Sequence, residues 1–326
     1  MSRDGAERPG DIDGMDIDEA VEAVVAGGQE QDAETARATL EFVAEDGVVS
    51  HDTVSSTLGE VSKVVATAET RTELAEGQLA DARESAAHVD DLGAVDFYLA
   101  EFQERFDNVE QALGTLQARL EAVTDRADWG RIYKVAQEAK QVRQSATQVQ
   151  GAADELQVDL EGFERWLGDR GTRYRELGDD LDALEQSVAD LGDAVERIGD
   201  AADGDEEAVA ADLPTAWADT TLRVRMLDLF LTDVRGELAD LRTWDEREDV
   251  TDAEPAGEIE ARIDEAAAEC DRLADRLDAL AEPAWREDVG DDLAEFDDEL
   301  AEFEPPVDWG EVQQTLETYR SRIGAN

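Results

Sequence analysis

Lysine is almost missing from this chain of 326 residues. Only Lys63, Lys134 and Lys140 occur among 29 basic residues, which leaves 26 Arg against 85 Asp and Glu and a formal charge of −56. So few cations disfavour nucleic acid, whose phosphates are bound mainly by Lys and Arg displacing counterions. Anionic membrane surfaces are disfavoured on the same ground. A single cysteine, Cys270, excludes an internal disulfide. The sequence has no run of 18 apolar residues, and its first residues, MSRDGAERPGDIDG, lack an apolar stretch of the kind a secretion signal needs. The expectation is a cytoplasmic protein with no membrane insertion.

Acidity at this level usually signals disorder. Here 41% of residues are apolar, and they recur with helical period, so the acidity reads as adaptation to solvent. At molar salt the Debye length falls to roughly 3 Å, and self-repulsion among surface carboxylates is screened. Arg in place of Lys, with abundant Ala, Val and Thr, resembles the proteins of haloarchaea.

The pattern predicts an all-α protein, an elongated coiled coil or multi-helix bundle. Residues 1–14 read as a disordered acidic tail and 15–58 as a small helical module. In that module two helices, about 16–25 and 32–44, precede an Asp46-Gly47 turn and a third helix capped by Ser50. A coiled-coil or bundle region is expected over 59–200 and a second acidic helical bundle over 201–326. Heptad seams run from Leu58 to Val89 and from Leu99 to Val123.

The strongest signal starts at Ile132. Stepping three and four residues alternately to Ile198 visits twenty positions, of which nineteen are apolar, against eight of the 47 between them. This predicts one very long helix over about 129–199, roughly 100 Å at 1.5 Å per residue, that must pack along its length against other helices. Arg170 is the single charged seam residue. It serves either to set register, as polar seam residues can, or to mark a break between Gly168 and Gly171.

Motifs that carry chemistry are absent. There is no phosphate-cradling glycine loop, GxSxG, HExxH or CxxC. Asp11–Gly14 fails as a calcium loop because position 12 falls on Ala20. His51 reads as a first-turn residue, His88 as a solvated flank and Cys270 as a seam hydrophobe. The tryptophans, mostly near helix ends, read as core. No catalytic, cofactor-binding or metal-binding residue is expected, no cofactor is implied, and the chain is expected not to be an enzyme.

One local excess stands out. Arg126, Arg131, Lys134, Lys140 and Arg143 face only Asp128 and Glu138 within 126–150, a net +3. They form either a docking face for an acidic partner or a set of cations that pair with the protein's own helices.

The stretch DGVVSHDTVSSTLGEVSKVVATAETRTELA at 46–75, followed by acidic heptads, resembles the haloarchaeal "halo transducer" family. The resemblance implies kinship with signalling transducers, although no transmembrane or HAMP-like region accompanies it. The resulting expectation is a coiled-coil scaffold or signalling adaptor that works through helix–helix contacts, with a helical protein partner or a second copy as a homodimer. The alternative is a transcription-type regulator that binds DNA through 15–58.

Overall fold

In the computed structural model the described residues are 12–125, 132–202 and 213–324. Among them are ten helices: α1 (Ile17–Ala26), α2 (Ala33–Leu40), α3 (His51–Ala86), α4 (Gly93–Asp125), α5 (Ile132–Gly168), α6 (Arg170–Ala202), α7 (Leu213–Arg247), α8 (Glu254–Leu280), α9 (Pro283–Leu300) and α10 (Trp309–Ile323). One antiparallel pair of two-residue strands, β1 (Met15–Asp16) and β2 (Val48–Val49), completes the secondary structure. The fold is an all-α multi-helix bundle.

Contacts divide the chain into two compact units, Met1–Glu84 with Leu99–Glu164, and Ser85–Tyr98 with Arg165–Asn326. This grouping differs from boundaries at 58/59 and 200/201. The small N-terminal module has no core of its own. Ile12, Val21, Val24 and Leu40 belong to the same buried cluster as Val61, Val65, Leu116, Val142 and Val149.

In the first unit the seams of α3 and α5 are buried throughout, from Leu58 to Ala82 and from Ile132 to Phe163. Asp32 caps α2 by accepting from the Thr35 amide at 2.9 Å. The helix expected to reach residue 44 stops at Leu40, because the chain must turn there into a tight hairpin. Glu45 and Val48 exchange both backbone bonds, at 3.1 and 3.0 Å. Asp46 and Gly47 between them have φ of +53° and +80°, the paired positive angles of a type I′ turn. Ser50 caps α3 as expected: its hydroxyl accepts from the Thr53 amide, and the Thr53 hydroxyl accepts from the Ser50 amide.

In the second unit α6, α7 and α8 each pack on the other two, while α9 and α10 pair with each other and lie on α7. Leu177, Leu181, Leu184, Leu231, Leu238, Ile263 and Leu277 fill the space between the three long helices. Asp308 caps α10 by accepting from the Gly310 and Glu311 amides.

All nineteen apolar positions counted from Ile132 to Ile198 are buried. They do not lie on one helix, however. The expected 129–199 helix is divided at Asp169 between α5 and α6. The Asp169 carboxylate accepts from the Thr172 hydroxyl at 2.8 Å and the Gly171 amide at 3.0 Å, so it acts as an N-cap. Those bonds hold its pKa below the usual carboxylate range. The heptad count runs through the break in phase, from Leu167 to Tyr174, and so periodicity alone does not reveal it.

Candidate functional site

Of the five basic residues read either as a docking face or as cations that pair with the protein's own helices, Arg126 and Arg131 lie outside the described residues. Lys134 is exposed on α5. Lys140 donates to the Ala38 carbonyl at 3.1 Å, in the last turn of α2, where unpaired carbonyls and the helix dipole favour a cation. The Arg143 guanidinium lies 5.5 Å from the Phe42 ring centroid, a cation–π distance. These two cations therefore tie the N-terminal helices to α5.

The other flank of α5 is more open. Between α4 and α5 runs a groove of about 630 Å³. Val109, Leu116 and Val149 form its apolar floor, and Asn108, Gln111, Ala112, Thr115, Ser145, Gln148 and Ala152 form its walls. Arg105 and Glu155 stand toward one end and Arg119 toward the other. Pairing of Arg105 with Asp159 at 2.6 Å and of Arg119 with Gln141 at 2.9 Å shows the two helices to be antiparallel. Residues 139–153 contain no Asp or Glu. At the chain's overall frequency, 85 of 326, such a run would hold about four. The missing carboxylates of 139–153, rather than the cations of 126–150, are the sequence feature that coincides with this groove.

In the second unit a groove of about 810 Å³ between α6 and α7 keeps a charged rim, including Asp190, Asp193, Asp219, Arg197 and Arg223. Asp219 there is paired with Arg223 at 2.9 Å and with Arg320 at 2.5 Å.

Arg170 sits beside the helix break and clasps Asp245 of α7 with two bonds of 2.8 Å, while a third reaches the Asp252 carbonyl at 2.7 Å. Asp245 also accepts from the Tyr174 hydroxyl at 2.8 Å. Burial works against the Asp245 charge, yet the Arg170 and Tyr174 bonds hold its pKa below the ordinary value. Burial and then Asp245 push the Tyr174 hydroxyl up to about 12. The neighbouring Arg173 is almost wholly buried, lies 3.9 Å from the Trp244 ring centroid, and donates to the Leu167 carbonyl at 2.9 Å. Arg170 thus both flanks a break and fixes how α6 meets α7. No periodic signal distinguishes Arg173 or Asp245 in the sequence.

A smaller cavity of about 320 Å³ in this unit is lined by Phe97, Tyr98, Phe230 and Trp309 and by four carboxyl groups, Asp180, Asp233, Glu237 and Asp240. Two of these are structural. Asp240 accepts from the Ala94 amide at 2.9 Å, and Asp233 from the Val307 amide at 3.1 Å and Trp309 Nε1 at 2.8 Å. Glu237 makes no hydrogen bond or ion pair among the described residues. Burial, followed by the charges of Asp180, Asp233, Asp240 and Glu176, pushes its pKa up to about 8.

His51 occupies the first turn of α3, with its amide 2.9 Å and its Nδ1 3.3 Å from the Asp13 carboxylate. His88 is exposed, with its ring edge-on to Trp244 at 6.0 Å. Cys270 is buried on the α8 seam, and burial pushes its thiol up to about 12. Trp166, Trp217, Trp244 and Trp285 are core residues. Trp309 is half-buried and Trp129 lies outside the described residues. Among the described residues no group of three or more His, Cys, Asp or Glu is placed to hold a metal ion, and no helix is long and apolar enough to cross a membrane. Compared with protein-family models, curated proteins and solved structures, the chain matches none.

Proposed function

We propose that this chain is a non-enzymatic scaffold or signalling adaptor of a salt-rich haloarchaeal cytoplasm, related to the halo transducer family, and that it works through helix–helix contacts. The observation that carries this reading is the α4–α5 groove. The heptad seams of α3 and α5 are used up within their own unit, yet this groove keeps an apolar floor and walls with few carboxylates. In water of high ionic strength, such a face gains by being covered with another helix.

A protein partner also suits the charges better than DNA does. Across residues 12–62 Arg37 is the only Lys or Arg, and it is ion-paired with Asp18 and Glu41. The roughly 6–10 phosphate contacts that are the usual electrostatic source of DNA affinity would lack donors there. The test is carboxylate-directed crosslinking and mass spectrometry of the tagged chain, purified at molar KCl. Crosslinks from α4 and α5 to another polypeptide, or between two copies, support the reading. Crosslinks only within one chain, with no co-purifying partner, would sink it.

A further inference from the structure

We propose that the cavity of about 320 Å³ in the second unit binds a small organic cation, an alkylated ammonium ion with no carboxylate of its own. Every residue that lines it belongs to that unit, so it is separate from the α4–α5 groove. Its size falls at the lower end of the roughly 300–1,000 Å³ usual for small-molecule sites. The lining rings, Phe97, Tyr98, Phe230 and Trp309, are all half-buried, whereas Trp166, Trp217, Trp244 and Trp285 are buried in the core. They stand in two pairs, Phe97 with Tyr98 at 6.2 Å and Phe230 with Trp309 at 5.1 Å between centroids. Ring faces attract a cation lying within about 6 Å of their centres, and quaternary ammonium ions are the ligands such clusters recognise. The wall beside them is close-packed: a Cβ added at Gly236 of α7 would lie 3.2 Å from Pro305, and one at Gly93 of α4 would lie 3.4 Å from Pro306.

Charge is unbalanced in the same place. Among the described residues no Lys, Arg or His lines the cavity. Asp233 and Asp240 are engaged by backbone amides and the Trp309 indole. Glu237 is half-buried and has no such partner among the described residues, although buried charges are ordinarily paired. Burial and the neighbouring carboxylates raise its pKa, the direction that a cation bound beside it would reverse. Among the described residues no group of three or more His, Cys, Asp or Glu is placed to hold a metal ion, so the spacing suits an ion broad enough to touch the rings and Glu237 together. A zwitterion would set its own carboxylate against the four of the cavity.

Ligand-observed NMR of the full chain with choline tests this. Constant molar KCl screens the general attraction of any cation to a chain of charge −56. Choline should bind saturably. Its neutral isostere, with carbon in place of the quaternary nitrogen, and glycine betaine, which adds a carboxylate to the same head group, should each bind about tenfold more weakly or worse. Glu237→Gln keeps the shape and removes the counter-charge, so it should weaken choline about tenfold or more with circular dichroism unchanged. Phe230→Leu removes one ring and should weaken it about threefold or more; where the leucine disturbs folding, the glutamine variant alone decides. Absence of saturable choline binding overturns the inference, as does a neutral isostere or betaine that binds as well. Saturable binding that Glu237→Gln retains in full places the cation elsewhere and overturns it too.

Discussion

Glu237→Gln tests whether the carboxyl-lined cavity of the second unit costs stability, and the sign of the effect depends on pH. In the folded chain the carboxyl titrates at about 8, against 4.5 for an ordinary glutamate. A raised carboxyl pKa means that the native state holds the proton more tightly than the unfolded state does. Stability is therefore greatest below about pH 4.5 and falls as pH rises toward 8, by about 1.4 kcal/mol per pH unit. Over the whole interval the loss approaches about 5 kcal/mol in dilute buffer. Screening of Asp180, Asp233, Asp240 and Glu176 at molar KCl should leave about 2–3 kcal/mol of it. The glutamine variant keeps the shape without the charge. It should match wild type within about 0.5 kcal/mol at pH 5 and exceed it by about 2–3 kcal/mol at pH 8. Urea unfolding at constant molar KCl, followed by tryptophan fluorescence, measures this directly, because five of the six tryptophans belong to the second unit. Wild-type and variant stabilities that run parallel between pH 5 and 8 would refute the reasoning.

Three further outcomes follow from the packing. Asp245→Ala strands Arg170 and the Tyr174 hydroxyl, and should cost about 3–5 kcal/mol, the usual penalty for breaking a buried pair. The Tyr174 absorbance titration should also move down from about 12, part of the way only, since burial is its larger cause. Leu181→Ala on the fully buried α6 seam should cost about 2–5 kcal/mol, whereas Val158→Ala, at a side chain 64% exposed, should change stability by less than about 0.5 kcal/mol; equal urea midpoints for the two would contradict the assigned core. Native Cys270, with its thiol held near 12, should react with iodoacetamide at pH 8 more than about tenfold slower than the same chain in urea, and equal rates would place it at the surface.

The bundle was legible because a helix that buries one face must repeat its apolar residues every three and four positions. That repeat located the α3, α5 and α6 seams residue by residue. The break between α5 and α6 was hidden for the same reason. One capping aspartate changes the backbone course without changing the count, so Leu167 and Tyr174 stay seven apart. The Asp46-Gly47 turn could be read from composition, but its hairpin pairs only two residues on each strand, too few for alternation to appear. Grouping into units depends on which seams meet, and that information is carried by no local pattern. Arg173 and Asp245 escaped notice because a buried arginine on an indole and a shared carboxylate depend on residues about 70 positions apart.

The candidate surface shows how the background decides which deviation is informative. In a chain of ordinary composition, five cations in twenty-five residues would be the signal and a run without carboxylates would pass unnoticed. Here the cations have local uses wherever the structure describes a contact for them: Lys140 reaches a helix end and Arg143 covers Phe42. The carboxylates, by contrast, keep exposed helix faces hydrated, and the α6–α7 groove retains them. A helix pair that gives them up over a continuous groove loses that solvation along one face. The loss is compensated only if that face is covered, which is why the absence of carboxylates between Ala139 and Ala153 points to contact more firmly than the cations among them.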